Sequence, residues 1–306
     1  MKRILKLAAL AVLGMMTASC SKNAAPEEGV PVSISVQAPQ IGTKSISDGK
    51  SVNQVRCIVF RDGKLIQHSD VTKLIPMRGG TATYETRLIS GQTYKIVFWA
   101  EVKDNAYYSV DYQNATVTVT YGAGNEEKRD AFYNVIEYTV TDGQAARTVT
   151  LKRPFAQLNY GLSAADKALA DAVSPIEKSS VKLDDVVYTK LNLFDGSVSA
   201  PLSSVTFTSA PILAEPLTVK AEGASAPVEY TYLSMNYILV NQDVVPNTTL
   251  TLYGADDAVV ATVPVSQVPL KRNYRTNIVG NLISSPATIN IVVDPAYEVP
   301  ENNINK

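Results

Sequence analysis

The sequence predicts an all-β fold in two domains, each a sandwich or barrel, with one short helix between runs of strands, and three observations carry that reading. Short runs in which apolar and polar residues alternate recur at about ten-residue spacing. Turn formers separate the runs, with 16 Gly and 16 Pro in the chain. The length of 306 residues exceeds the ~100–200 residues typical of one domain. Charged residues make up 19% and apolar residues 45%, a core-forming balance that excludes a disordered or collagen-like chain.

The first run has Val30, Val32, Ile34 and Val36 alternating with Pro31, Ser33 and Ser35, as a half-buried strand requires. Residues 39–53 break the pattern with Pro, Gly, Ser and Lys and read as a long loop. Runs 54–60 and 64–68 flank Arg61-Asp62-Gly63, a hairpin signal. Runs 81–89 and 93–102 flank Ser90-Gly91-Gln92, and the second is apolar on both faces at 94–100, so it reads as a central strand. Runs 107–112, 115–121, 136–141 and 147–151 complete the first half. Lys152 to Tyr160 reads as the join between halves. The helix is expected over 164–173, with Ser163 as its cap, Asp166 at the third helical position and Pro175 beyond its end. Its apolar face would hold Ala165, Leu169, Ala172 and Val173. Strands resume at 180–188, 190–193, 204–208, 217–221, 228–234, 236–240, 248–253 and 259–263, and the last is expected over 287–293.

The chain starts with Lys2, Arg3 and Lys6, continues with an apolar run at 7–16 and reaches the small residues Thr17, Ala18 and Ser19 before Cys20. This is a secretory signal over residues 1–19, too short for a membrane span of ~20 apolar residues. Its end resembles a bacterial lipobox, which would make Cys20 the acylated N-terminus of the mature chain. Residues 20–28 then form a polar tether, followed by domains at 29–153 and 154–306. Glu27 and Glu28 hint at display on the cell surface. Cleavage removes three of the 28 bases and no acids, moving the formal charge from −1 to −4. Without a basic run there is no electrostatic footprint for nucleic acid.

One His and two Cys leave little from which to build a zinc site or a nucleophile–imidazole pair. Cys57 reads as a small apolar core residue. His68 beside Ser69 and Asp70 cannot be a triad within one extended segment, because neighbours on a strand face opposite sides. The acid pairs Glu126-Glu127, Asp184-Asp185 and Asp256-Asp257 read as solvated turns, and Gly122-Ala123-Gly124 lacks the context of a phosphate loop. No cofactor, metal or catalysis is expected. Among 16 tyrosines, Tyr107, Tyr108 and Tyr112 form one group and Tyr230, Tyr232 and Tyr237 another. If exposed, such rings suit sugar or protein surfaces.

Residues 264–283, with Arg272-Asn273-Tyr274-Arg275-Thr276 and the stretch to Gly280 at their centre, resemble the C-terminal signature of fimbrillin-family proteins. The stretch from Lys152 to Tyr160 is similar to that family's domain join. The resemblance implies transthyretin-like Greek-key β-sandwiches and a role in a type V pilus or related surface adhesin. In stalk and tip subunits of that family a protease removes the first strand and a neighbouring subunit's strand replaces it. Here the exchangeable strand would hold Val30, Val32, Ile34 and Val36, with the cut at Lys44 or Lys50. The expectation is a non-catalytic outer-membrane lipoprotein, surface-exposed and serving as an anchor or accessory subunit. Its partners would be the membrane, through its lipid, and pilus subunits. The alternative is a surface glycan-binding lipoprotein whose tyrosines form the sugar platform.

Overall fold

The computed structural model describes residues 29–39, 47–221, 223–241, 243–285 and 288–295. The leader, the tether with Cys20, and Lys44 lie outside the described residues. In chain order the first strands are β1 (Val30–Gln37), β2 (Gln54–Arg61), β3 (Lys64–Leu65), β4 (Lys73–Pro76), β5 (Thr81–Leu88), β6 (Thr93–Glu101), β7 (Tyr108–Asp111), β8 (Thr116–Val119), β9 (Phe132–Thr139) and β10 (Arg147–Thr150). After β11 (Ala156–Leu162) comes the helix α1 (Ala164–Asp171). The strands then continue as β12 (Lys178–Asp184), β13 (Val187–Asn192), β14 (Val198–Leu202), β15 (Val205–Pro211), β16 (Leu217–Val219), β17 (Val228–Ile238), β18 (Asn247–Tyr253), β19 (Val259–Val265), β20 (Arg275–Gly280) and β21 (Asn290–Asp294).

Among the described residues the strands form five sheets, in keeping with an all-β sandwich fold. A three-stranded sheet ordered β10-β1-β5 packs against one ordered β3-β2-β6-β9, with β4 also paired to β2. Between them lies a core that includes Ile34, Val36, Tyr84, Phe98 and Leu151. In the second half, β16-β17-β11-β20-β21 packs against β15-β12-β18-β19 around Leu158, Tyr160, Phe207, Leu250 and Ile278. The fifth sheet, β14-β13-β8-β7, joins a hairpin from each half. There β8 meets β13 antiparallel through Thr116↔Asn192, Val117↔Leu191 and Thr118↔Lys190. Beneath this sheet a third core gathers Trp99 and Phe60 from the first half with Tyr237 and Leu239 from the second.

Several elements differ from the sequence expectation. Runs 228–234 and 236–240 are one strand, because β17 is buried on both faces from Tyr232 onward and no turn interrupts it. The join is itself a strand, β11, buried along its whole length. It runs parallel to β20 and antiparallel to β17. The expected hairpin partner at 64–68 shrinks to β3, and β4 takes over the pairing with β2. Asp62 and Gly63 make the turn with φ of 51° and 71°. Helix α1 buries Asp166 and Ala170 instead of the predicted face, leaving Leu169 61% and Val173 89% exposed. The cause is Asp166, whose carboxylate accepts the backbone N–H of Ile283 at 2.7 Å and of Ser284 at 3.0 Å. Ser163 caps the helix as expected, its Oγ accepting the Asp166 N–H at 3.1 Å.

Candidate functional site: the first strand and the joint beneath its loop

Strand β1 occupies the middle of its sheet. It pairs with β5 antiparallel over its full length, from Val30↔Leu88 to Gln37↔Thr81. With β10 it pairs parallel over its second half only, from Ile34↔Arg147 to Gln37↔Thr150. The period-two pattern sends Val32, Ile34 and Val36 into the first core at 4%, 0% and 0% exposure, with Val30 partly buried beside them. Full burial of each such side chain is worth ~1.5–3 kcal/mol. Removing β1 would therefore open an apolar groove and strip backbone partners from both β5 and β10. The site has the geometry of a strand-shaped cleft already filled by its own strand.

The chain after β1 returns at Ser47, and here the structure differs from an open processing loop. Ser47 is fully buried, and Asp48 and Gly49 are buried beside it. The Ser47 N–H donates to Glu127 Oε1 at 3.3 Å, and its carbonyl accepts from Arg153 Nη2 at 3.4 Å. Its hydroxyl meets the Tyr237 hydroxyl and accepts from Gln157 Nε2 at 3.1 Å. Gly49 has φ of +80°, and a Cβ there would collide with the Pro39 carbonyl oxygen. Lys50 keeps a 44% exposed side chain, yet its ammonium pairs with Asp48 at 3.0 Å and its N–H donates to Asp48 Oδ1 at 2.9 Å. A protease needs an extended segment, and the residues preceding Lys50 are held in place.

Ser47 lies on a buried polar network that crosses between the halves. Arg153 forms a two-pronged pair with Asp130, both bonds at 2.6 Å and both side chains inaccessible to solvent. The Arg153 guanidinium also lies 5.0 Å from the Phe132 ring centre and 5.6 Å from that of Tyr237. Burial pushes the Asp130 carboxyl up, against the pull of Arg153. The network continues as Gln157 Nε2 donates to Asn159 Oδ1 at 3.0 Å and Asn159 Nδ2 to Asn277 Oδ1 at 2.8 Å. The signature stretch at 264–283 closes this joint. Asn273, at φ of 66°, accepts the Arg153 N–H at 3.0 Å and donates its own N–H to the Phe155 carbonyl at 2.9 Å. Arg272 donates to the carbonyls of Val240 at 2.5 Å and Gly196 at 2.6 Å.

The six tyrosines do not share one surface. Tyr232 and Tyr237 are buried, and the Tyr232 hydroxyl donates to Asn159 Oδ1 at 2.7 Å. Tyr108 stacks on Phe155 with centroids 5.6 Å apart, and its hydroxyl donates to the Arg129 carbonyl. Tyr107 covers the buried Arg129 guanidinium at 3.8 Å, and the Tyr112 hydroxyl accepts from Arg56 Nη1 at 3.0 Å. Tyr230 and the buried Tyr232 both line a cleft. His68 Nδ1 accepts the Asp70 N–H at 3.2 Å, a contact within its own turn. The Cys57 thiol is buried, which raises its pKa far above the usual value. Among the described residues no three His, Cys, Asp or Glu side chains come together as a metal site would need.

A family model described only as a family of unknown function (DUF6562) matches residues 24–306. The chain belongs to that family. No curated protein matches this DUF6562 chain. It is similar to the structure of a candidate cell adhesion protein from Bacteroides uniformis, with 9% identity, coverage of 87% of this chain and 99% of the other, and a TM-score of 0.49. A fimbrial assembly protein from Parabacteroides distasonis is similar at 13% identity, 87% and 95% coverage and a TM-score of 0.43. A candidate polysaccharide-binding protein from Bacteroides thetaiotaomicron is similar at 14% identity, 89% and 99% coverage and a TM-score of 0.46. No helix among the described residues of the DUF6562 chain is long and apolar enough to cross a membrane. Sequence reasoning found the signature stretch but missed Ser47, Asp130 and Gln157, which meet Tyr237, Arg153 and Ser47 from 190, 23 and 110 residues away along the chain.

Proposed function

We propose that this chain is a non-catalytic, fimbrillin-like component of a pilus or surface adhesin. It would be held on the outer membrane by lipid at Cys20 and act there as an anchor or accessory subunit. The observation that carries the reading is the placement of β1, a middle strand whose Val32, Ile34 and Val36 are buried. Such a strand is the natural element for exchange with a partner, because a replacement would recover both the backbone pairing and the pockets of Val32, Ile34 and Val36. The two sheet pairs are, in this reading, tandem domains at 29–153 and 154–306. The buried joint supports an anchoring role, since it fixes the angle between them.

The test uses the mature chain and intact cells. Trypsin is expected to cut at Lys44 and leave Lys50 intact, and the cut chain is expected to build detergent-resistant ladders or to co-purify with pilus subunits. Metabolic labelling with a palmitate analogue should mark the protein and be lost in Cys20→Ser. A chain that carries no lipid and neither ladders nor travels with any surface filament would sink the proposal.

A further inference from the structure

A cleft of about 290 Å³ opens beside the start of β17, between the turn leading into β16 and the first residue of α1. Its lining includes Leu213, Pro216, Tyr230 and Tyr232, together with Glu215 and Glu229. Tyr230 is seated here by an absence. A Cβ at Gly161 would come within 2.8 Å of Tyr230 Cβ, 3.0 Å of Leu217 Cδ2 and 3.0 Å of Val279 Cγ1. The glycine at the β11 irregularity between Tyr160 and Gly161 therefore makes the room that Tyr230 occupies. Among the described residues the side chains of Tyr230, Glu215 and Glu229 make no hydrogen bond or ion pair. That sets Tyr230 apart from Tyr108, Tyr112, Tyr232 and Tyr237, whose hydroxyls are all engaged.

We propose that this cleft binds one neutral sugar unit of a glycan, with the Tyr230 ring against the sugar's C–H face and the Glu215 and Glu229 carboxylates accepting from its hydroxyls. The chemistry selects the class. Both carboxylates are acceptors only, so the ligand must be rich in donors, and an acidic sugar or phosphate would meet like charge. An ammonium group is less suited: its recognition uses aromatic cages, whereas of the two tyrosines in this lining Tyr232 is buried with its hydroxyl on Asn159, and an exposed ion pair adds only ~0–1 kcal/mol. The volume of about 290 Å³ falls just under the ~300–1,000 Å³ range of small-ligand sites, which limits it to a single pyranose ring. The site is independent of strand exchange, so either idea can fail alone.

The probes are the methyl glycosides of glucose, galactose, mannose and N-acetylglucosamine, with glucuronic acid and an N-acetyl-lysine amide as controls. Saturation-transfer NMR and calorimetry on the mature chain should find at least one neutral glycoside bound with Kd on the order of 1 mM. Tyr230→Ala should weaken that binding about tenfold or more, equivalent to ~1.4 kcal/mol. Glu215→Arg, at an exposed loop position that leaves the core untouched, should do the same without moving the melting temperature. Failure of all four neutral glycosides would overturn the proposal. So would binding that survives both substitutions, or preference for the lysine derivative lost at high salt.

Discussion

Asp130 and Arg153 show how a buried pair within one half of a chain can seat the other half, since Arg153 also meets Asn273 and the Tyr237 ring. Neither side chain touches solvent, so each relies on the other and on the surrounding rings and carbonyls for the stabilisation that water no longer provides. Asp130→Asn keeps the shape but leaves the Arg153 charge buried without its counter-ion. It is expected to cost about 3–5 kcal/mol, the usual penalty for breaking a buried pair, read as a lower denaturant midpoint by fluorescence of Trp99. Residue type alone does not announce this role. Asp130 and Arg153 are unremarkable in the sequence, whereas Asn273 could be singled out because it sits in a recognisable stretch. Asp166 was legible as a helix-start residue, but its second role, holding the turn at Ile283 and Ser284, depends on residues more than a hundred positions away.

Among the elements, β1 was the most readable, since alternation is a local property and three of its four apolar positions are buried. The loop after it was not readable. Its composition predicts an exposed excursion, and the structure brings 47–49 back into the joint. Gly49→Ala tests that return. At φ of +80° and against Pro39 an alanine should strain the turn, destabilising the fold by about 1–3 kcal/mol. It should also make cleavage at Lys50 measurable where the parent resists trypsin; unchanged proteolysis would contradict the role given to this turn. Strand β17 reads in the sequence as two runs, 228–234 and 236–240, yet Ser234 and Asn236 on either side of the break are both buried and Asn236 Nδ2 donates to Ser234 Oγ at 2.8 Å. A strand with both faces covered has no alternation to betray it.

At the scale of the whole molecule, three cores share a set of buried tyrosines. Burial raises the phenol pKa of Tyr84 in the first core and Tyr160 in the second, and also those of Tyr108 and Tyr121 at the joint. The folded chain therefore keeps these protons above the usual value near 10, while the unfolded chain releases them. Stability is thus full below pH 10 and falls as pH rises beyond it, each such tyrosine contributing about 1.4 kcal/mol per pH unit. Alkaline titration followed by tyrosinate absorbance and circular dichroism should show ionisation and unfolding together. Gradual ionisation with the fold intact would contradict the burial.

The sequence by itself determined the strand-rich fold, the apolar face of β1, the helix cap at Ser163 and the poverty of groups for metal or nucleophilic chemistry. All of these follow from spacing or composition within a few residues. Only the tertiary structure decided that β8 pairs with β13, that Ser47 and Gln157 meet, and that Tyr230 and Tyr232 line one cleft while Tyr237 turns into the joint. Those outcomes rest on contacts between distant segments. Whether a tyrosine hydroxyl faces water, a backbone carbonyl or an asparagine is fixed by which strand arrives beside it, and local alternation carries no record of that arrival.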